Sequence, residues 1–189
     1  MKRFLILLMA AVFAVMHAAP DCSAQKIGVS TNIIDWCNYG TLNVGVSVSA
    51  GQHLTAGVSA RYNPWFFAKG TERQVNHAVR SVSLDLRYWT WHVYSGWWFM
   101  LKGQLQEFNY GNIHGMNFSE QGRARGAGIG AGYALMTGTH WNLDFGVSFW
   151  GGVRERRRYD CSYCGSPVKS GKGFFILPDN VFVSLCYIF

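Results

Sequence analysis

The feature that most constrains this sequence is an alternation of apolar residues with small or polar ones, which returns in segment after segment. Between Thr41 and Ala50, for example, Leu and Val alternate with Asn, Gly and Ser. Successive side chains of a β-strand point to opposite faces, so the alternation predicts strands with one apolar and one polar face. We expect eight strands: Lys26–Trp36, Thr41–Ala50, His53–Tyr62, Val79–Trp89, Gly96–Phe108, Arg123–Leu135, a seventh starting at Trp141, and an eighth from Val181 to Phe189.

The connections between these segments alternate in length. Those after the second, fourth and sixth strands are short, whereas polar stretches follow the third, fifth and seventh: Asn63–Ala78, Asn109–Gln121 and Arg154–Gly173. The first connection, Cys37–Gly40, is short and breaks the rule. An even number of strands with short turns at one end and long loops at the other is typical of barrels that cross outer membranes.

Composition indicates which face is outside. Charged residues make up 14% and hydrophobic residues 49% of the chain, whereas about 25% charged is usual for soluble domains. An eight-stranded barrel has an interior just wide enough for side chains to fill it, which suits the glycine-rich faces. The sequence therefore predicts an all-β fold, an eight-stranded antiparallel up-and-down transmembrane β-barrel. The alternative is a secreted barrel or sandwich with its apolar faces packed inward.

The N-terminal residues predict export. Lys2 and Arg3 precede an apolar run from Phe4 to Met16, and small residues follow up to Ala24. This order is that of a secretory signal peptide, and the run is shorter than the about 20 residues of a membrane-spanning helix. We expect residues 1–24 to be a signal peptide and residues 25–189 to form an outer-membrane β-barrel domain. A lipoprotein that uses Cys22 is the alternative, although the preceding Asp fits such a site poorly.

Charged residues occur on the predicted inward faces of the strands. They are Arg61, Asp85, Arg87, Lys102 and Asp144. We expect them to pair as an interior polar network, because an unpaired buried charge costs several kcal/mol. The network is interpreted either as a plug of salt bridges or as a small gated conduit, and the narrow interior favours the plug.

The longest predicted loop is strongly basic. Its cations are Arg154, Arg156, Arg157, Arg158, Lys169 and Lys172. Such a loop could hold lipopolysaccharide phosphates or an acidic surface polymer through charge-assisted hydrogen bonds, or it could serve only as a solvated loop. Because the protein is expected outside the cell, we expect no nucleic-acid partner despite the net charge of +7.

The same loop contains a Cys-x-x-Cys pair, Cys161 and Cys164. One such pair is half of a zinc site, and no second pair of ligands has suitable spacing, so no metal site is expected. The exported setting favours a disulfide, either within the pair or from one of its members to Cys37.

Catalytic chemistry is not expected. The candidate general bases are His77, His92, His114 and His140, all predicted in loops or turns without a converging Ser and acid. Gly126–Ala131 matches a loose dinucleotide-binding motif, but no helix pattern follows it, and that motif requires one. We therefore predict no catalytic residue, no cofactor and no metal.

Several short motifs carry a resemblance to a known family. They are Tyr62-Asn63-Pro64-Trp65, Leu86-Arg87-Tyr88-Trp89, Gly111-Asn112-Ile113, Trp141-Asn142-Leu143, Cys161-x-x-Cys164-Gly165 and Tyr187-Ile188-Phe189. The chain resembles a family of uncharacterised outer-membrane β-barrels common in anaerobic gut and oral Gram-negative bacteria. It departs from that family at Ile176–Asn180. The resemblance implies location and fold, not an activity.

The expected function is that of a small non-enzymatic outer-membrane protein, which contributes to envelope integrity or surface interaction through its extracellular loops. The alternatives are an accessory protein for assembly of a surface structure such as fimbriae, and a lipid-modifying enzyme. The expected partners are outer-membrane lipid and lipopolysaccharide, the barrel-assembly machinery and an unidentified surface partner. Tyr187 and Phe189 resemble the C-terminal signal that the barrel-assembly machinery reads.

Deletion of Phe189 is expected to impair assembly into the membrane, because it removes the aromatic end of that signal. The folded fraction can be measured by heat-modifiable gel migration of membrane fractions. Unchanged assembly of the shortened chain would contradict the assignment.

Overall fold

The computed structural model describes residues 27–67, 75–111, 118–159 and 169–189. These residues form nine strands and one short helix: β1 Ile27–Asn32, α1 Ile33–Cys37, β2 Leu42–Ser49, β3 Leu54–Asn63, β4 Phe66–Phe67, β5 Val75–Trp89, β6 Gly96–Gly111, β7 Ser119–Met136, β8 Trp141–Tyr159 and β9 Lys169–Ile188. No helix in the described part of the chain is long and apolar enough to cross a membrane.

The strands form a closed ring. Each long strand pairs antiparallel with its neighbour in the chain, β3 pairs with β5, and β1 pairs with β9 to complete the circle. The two-residue strand β4 only adds to the end of β5. The predicted all-β, eight-stranded antiparallel up-and-down barrel is therefore confirmed as a fold. We call the end with the short connections after β2, β5 and β7 the turn end, and the opposite end the loop end.

The strands are steeply tilted. Ser30 on β1 lies beside Cys186 on β9. The row of paired residues that starts at Ser30 can also be followed in the other direction, through β2, β3, β5, β6, β7 and β8. It then reaches β9 at Phe175, which lies much closer to the loop end than Cys186 does. A barrel closes with such a stagger only when its strands lie at about 35–45° to its axis. Rows of paired residues therefore climb toward the loop end from β1 to β9.

The first strand is shorter than predicted. β1 ends at Asn32, and the residues up to Trp36, predicted as strand, belong to α1 instead. The Asn32 side chain accepts a hydrogen bond from the Ile34 N–H (3.3 Å), which caps the helix. Asn32 also donates to the Val181 carbonyl (3.1 Å) and accepts from the Val183 N–H (3.1 Å). The Asn32 side chain thus caps α1, where β1 ends, and also forms hydrogen bonds with β9.

The later strands are longer than predicted. β8 continues to Tyr159 and β9 begins at Lys169, so both ends of the predicted loop Arg154–Gly173 are paired strand residues. The predicted loops that flank β5, β6 and β7 are shortened in the same way. Polar residues are typical of loops, but the opposite charges of Arg154 and Glu120 and of Lys172 and Glu155 lie on neighbouring strands, where such pairs stabilise strand pairing.

The two faces of each strand differ as the alternation predicts, and the apolar face is outside. On β6, Trp97, Phe99 and Leu101 are 54–58% exposed. The residues between them, Trp98 and Met100, are buried inside the barrel. The barrel interior therefore contains the polar faces together with a few large apolar side chains.

The turn end is closed by an inserted side chain. Tyr94, in the connection between β5 and β6, has a positive φ of 65° and is buried. Its ring lies 5.7 Å from that of Trp89, and its hydroxyl lies 3.2 Å from the Ser47 hydroxyl. Asn142 donates a hydrogen bond to its carbonyl. The sequence predicted only a short turn here.

Gly132 and Gly103 provide a matched test of the interior packing. A Cβ at Gly132 would collide with the Phe145 carbonyl and the Trp98 ring, whereas one at Gly103, on the outer face, would meet no atom within 4 Å. Gly132→Ala is expected to lower the folded fraction sharply and Gly103→Ala to leave it unchanged, as judged by heat-modifiable migration. Equal folding of both variants would contradict the packing.

Candidate functional site

The first layer of the interior network centres on Asp179. Its carboxylate accepts hydrogen bonds from Arg61 (2.9 Å), Gln104 (3.1 Å) and the Lys102 ammonium. Arg61 and Lys102 therefore face the interior and are paired, as the sequence predicted. Their partner was missed, because the sequence analysis placed Asp179 before the last strand.

A β-bulge explains how Asp179 reaches the interior. Ser148 on β8 lies opposite Asn180, while the next residue, Phe149, lies opposite Pro178. Asp179 is thus the extra residue of the bulge. Proline has no N–H to donate, so within sheets it is confined to edges and bulges. Pro178 inside an otherwise apolar strand pattern was the one sequence signal for this irregularity.

The second layer centres on Arg87. Its guanidinium lies 3.3 Å from Asp85 and 3.2 Å from Asp144, and its carbon lies 4.8 Å above the Trp98 ring centroid. All five predicted interior residues are therefore brought together inside the barrel. With Asp179 they make three cations and three carboxylates, so this set of charges is neutral.

Little free space remains between the two layers. The cavity there has a volume of about 60 Å³ and touches Asp85, Arg87 and Lys102, which is room for about two water molecules. The geometry favours the plug over the conduit.

A larger cavity lies at the loop end. It has a volume of about 370 Å³ and is lined by both aromatic and polar side chains. Trp150 and Phe175 meet edge to face at 4.7 Å in its lining, and Asp35 of α1 also lines it. Burial raises the pKa of Asp35. The Trp150 side chain is buried inside the barrel.

The predicted basic outer loop is wrong as a loop, because its cations lie on two paired strands. Arg154, Arg156, Arg157 and Arg158 belong to β8, and Lys169 and Lys172 to β9. The alternation of a strand distributes them between two faces.

These cations have acidic neighbours. Arg154 and Arg156 contact Glu120 at 3.5 and 3.7 Å. Lys172 contacts Glu155 at 3.1 Å, and its hydrogen bond lowers the pKa of that carboxyl.

A row of alternating charges crosses the outer face near the loop end, and sequence reasoning missed it. Its members are successive cross-strand neighbours: Arg80, Glu107, Arg123, Glu155 and Lys172. Arg123 and Glu107 form an ion pair of 2.9 Å. Only the strand register reveals the row, since each strand contributes one charge.

The predicted disulfide concerns residues that are only partly described. Cys37, at the end of α1, is exposed, whereas Cys161 and Cys164 lie outside the described residues. A further cysteine, Cys186, is buried inside the barrel as a free thiol.

The histidines have structural neighbours. His77, predicted in a loop, is buried in β5, where its ring nitrogen lies 3.0 Å from the Asn63 amide. His140, in a turn as predicted, lies 2.9 Å from the Ile188 carbonyl. His92 is also in a turn, and His114 is outside the described residues. Within the described ranges, no group of three or more His, Cys, Asp or Glu residues could hold a metal ion.

The C-terminal aromatic residues lie on the outer face at the turn end. The Phe189 N–H donates to the Ile27 carbonyl (2.8 Å), and its ring is 49% exposed. Tyr187 packs edge to face on Trp141 at 4.9 Å.

Comparison with known proteins identifies a family but no activity. Residues 5–189 match the profile of a family described as "Protein of unknown function (DUF3575)". No curated protein matches the chain.

Replacing Asp179 by Asn tests the interior network. The substitution leaves Lys102 and Arg61 without their shared carboxylate, and breaking such a buried pair is expected to cost about 3–5 kcal/mol of unfolding free energy. Glu155→Gln breaks an exposed pair instead, and we expect no measurable change. Urea unfolding of the protein in detergent, followed by tryptophan fluorescence, measures both. Equal stability of the two variants would contradict a network that depends on Asp179.

Proposed function

The chain belongs to the DUF3575 family, whose description assigns no function, and we propose that it is a small non-enzymatic protein of the bacterial outer membrane. Its barrel crosses the membrane as a plugged anchor. Its loop end faces outward and contributes to envelope integrity or surface interaction.

The observation that carries this proposal is the inverted polarity of the barrel. On its outer face, Leu84, Leu105 and Ile129 are 63–65% exposed, while ion pairs fill the interior. Contiguous apolar surface of this extent is rare on soluble monomers. Lipid accommodates it, and a closed barrel leaves no unpaired strand edge within the hydrocarbon region.

The dimensions of the apolar face suit a bilayer. On β6 the outward apolar side chains run from Trp97 to Leu105, and the next outward residue is Glu107. This stretch is about 27 Å long along the strand. Because the strands are tilted by about 40° from the barrel axis, it covers about 20 Å along that axis. Apolar bands of transmembrane barrels are about 25 Å tall.

Both borders of the band carry suitable residues. Aromatic side chains cluster at the turn end, where Trp97 and Tyr133 meet edge to face at 5.4 Å, and aromatic belts mark membrane interfaces. Near the loop end, Arg80 and Arg125 point outward and are placed to meet the phosphates of lipopolysaccharide.

Sequence features support the choice of membrane. The signal peptide predicted over residues 1–24 directs export, and the aromatic C-terminus suits the barrel-assembly machinery. The resemblance to outer-membrane barrels of anaerobic gut and oral bacteria agrees with both. In this orientation, the short turns are periplasmic and the extended strands β8 and β9 project from the cell.

Leu101→Arg tests the membrane placement directly. Leu101 is 58% exposed in the middle of the outward apolar stretch of β6, and an arginine near the bilayer midplane costs about 2–4 kcal/mol. We expect less folded protein in outer-membrane fractions, measured by heat-modifiable migration. Gln121→Arg is the control, because this outward position on β7 lies beyond the apolar band.

The decisive result against the proposal is a mature protein that purifies without detergent as a folded monomer. Equal accumulation of Leu101→Arg and Gln121→Arg in the outer membrane would contradict it as well.

A further inference from the structure

Among the described residues, one strand of the barrel has a long stretch that is paired on one side only. On one side, β9 pairs with β8 along nearly its whole length. On the other side, β1 pairs only with Ser184–Ile188, and the Asn32 side chain continues this seam to Val181. From Lys169 to Pro178, no strand in the described part of the chain occupies the second side. We call these residues the β9 edge.

Exposure along the β9 edge agrees with a missing neighbour. All residues from Lys169 to Phe174 are exposed, whereas the loop-end half of β7 alternates between exposed positions and buried or half-buried ones. Phe174 and Ile176 are 74% and 70% exposed, the highest values among the large hydrophobic side chains described.

Lipid does not account for this exposure. Ile176 lies in the same row as Gly151 and Ala127, and Ala127 is the last outward apolar residue of β7 before Arg125. Rows climb by about 3 Å per strand at this tilt. Ile176 therefore lies about 6 Å nearer the loop end than Ala127, above the end of the apolar band, and Phe174 lies farther out.

The positive charge of the β9 edge favours an acidic partner. Lys169 and Lys172 lie on it, and Arg156, Arg157 and Arg158 are their neighbours on β8. Antiparallel pairing with a second copy would bring these lysines close to their counterparts, which is unfavourable. A segment that carries Asp or Glu would instead gain opposite-charge pairs across the new strand boundary.

The two glycines of the β9 edge have uncovered faces. A Cβ at Gly171 or Gly173 would meet no described atom within 4 Å. Side chains of an added strand can therefore lie close to the backbone of the β9 edge, beside the exposed Phe174.

We propose that the β9 edge is a docking site for an extended, acidic segment of another protein, which adds to the barrel as one more strand. Main-chain hydrogen bonds supply the affinity, and the lysines and Phe174 select the sequence, as in other cases of strand addition. Access to such a partner from outside the cell rests on the proposed function. The pairing itself does not, and it can be measured on detergent-solubilised protein.

The test uses three synthetic nine-residue peptides with a fluorescent label: alternating Val and Glu, alternating Val and Lys, and the acidic peptide with Pro at every second Val. Fluorescence anisotropy with the full mature chain in detergent measures binding. We expect only the unbroken acidic peptide to bind, since proline removes the main-chain donors that pairing needs. Isotope-edited infrared spectra of the bound peptide should show β-sheet.

Lys172→Glu is expected to weaken this binding by about tenfold, because it exchanges attraction for repulsion beside the added strand. Arg123→Glu is a matched control, since Arg123 also pairs with one glutamate on the outer face, two strands away from the edge. It should change affinity less than twofold. Both variants must first show wild-type heat-modifiable migration, which separates this test from that of membrane insertion.

Three results would overturn the proposal. Equal binding of the acidic peptides with and without proline would indicate charge attraction alone. A detergent-stable dimer that excludes the acidic peptide would assign the edge to a second copy. Failure of the acidic peptide to bind the correctly folded wild-type protein would show that the edge does not accept such a strand.

Discussion

The narrowness of an eight-stranded ring constrains everything else in this protein. The interior has to be filled by side chains from all strands at once, so large and small residues must face each other. Glycines on β7 provide the space: Gly132 lies against the Trp98 ring, and Gly128 against the stem of Lys102. The glycine-rich segment Gly126–Ala131, which resembles a dinucleotide-binding motif in the sequence, therefore belongs to a strand whose small residues leave space for the larger interior side chains.

The same narrowness requires the charges to cancel. Arg87 has two carboxylate partners, and Asp179 has two cationic ones. Such layers are costly to desolvate, and they are tolerated when each charge has a partner and further hydrogen bonds. Together with Tyr94 at the turn end, they fill the barrel below the loop-end cavity. A filled barrel directs the search for function to its outer surface and its loop end.

The loop end is asymmetric because of where the ring closes. β1 stops at Asn32 and gives way to α1, while β8 and β9 continue well beyond that height. Because β9 extends farther toward the loop end than β1, the part of β9 beyond β1 has no strand beside it among the described residues. Lysines on such an edge discourage pairing with a second copy, and the same lysines favour an acidic partner. Protection against self-association and selection of a partner thus rest on the same side chains.

The alternation of residue types was enough to predict the number of strands in the ring, their antiparallel order and the interior position of Arg61, Asp85, Arg87, Lys102 and Asp144. These follow from a period of two, which is local and readable along one strand. Tertiary structure alone decided the end of β1, the strand character of Arg154–Tyr159, the inward turn of Asp179 and the open β9 edge. Each of these depends on which residues lie opposite one another on neighbouring strands, and that register is set by closure of the ring, not by any one segment.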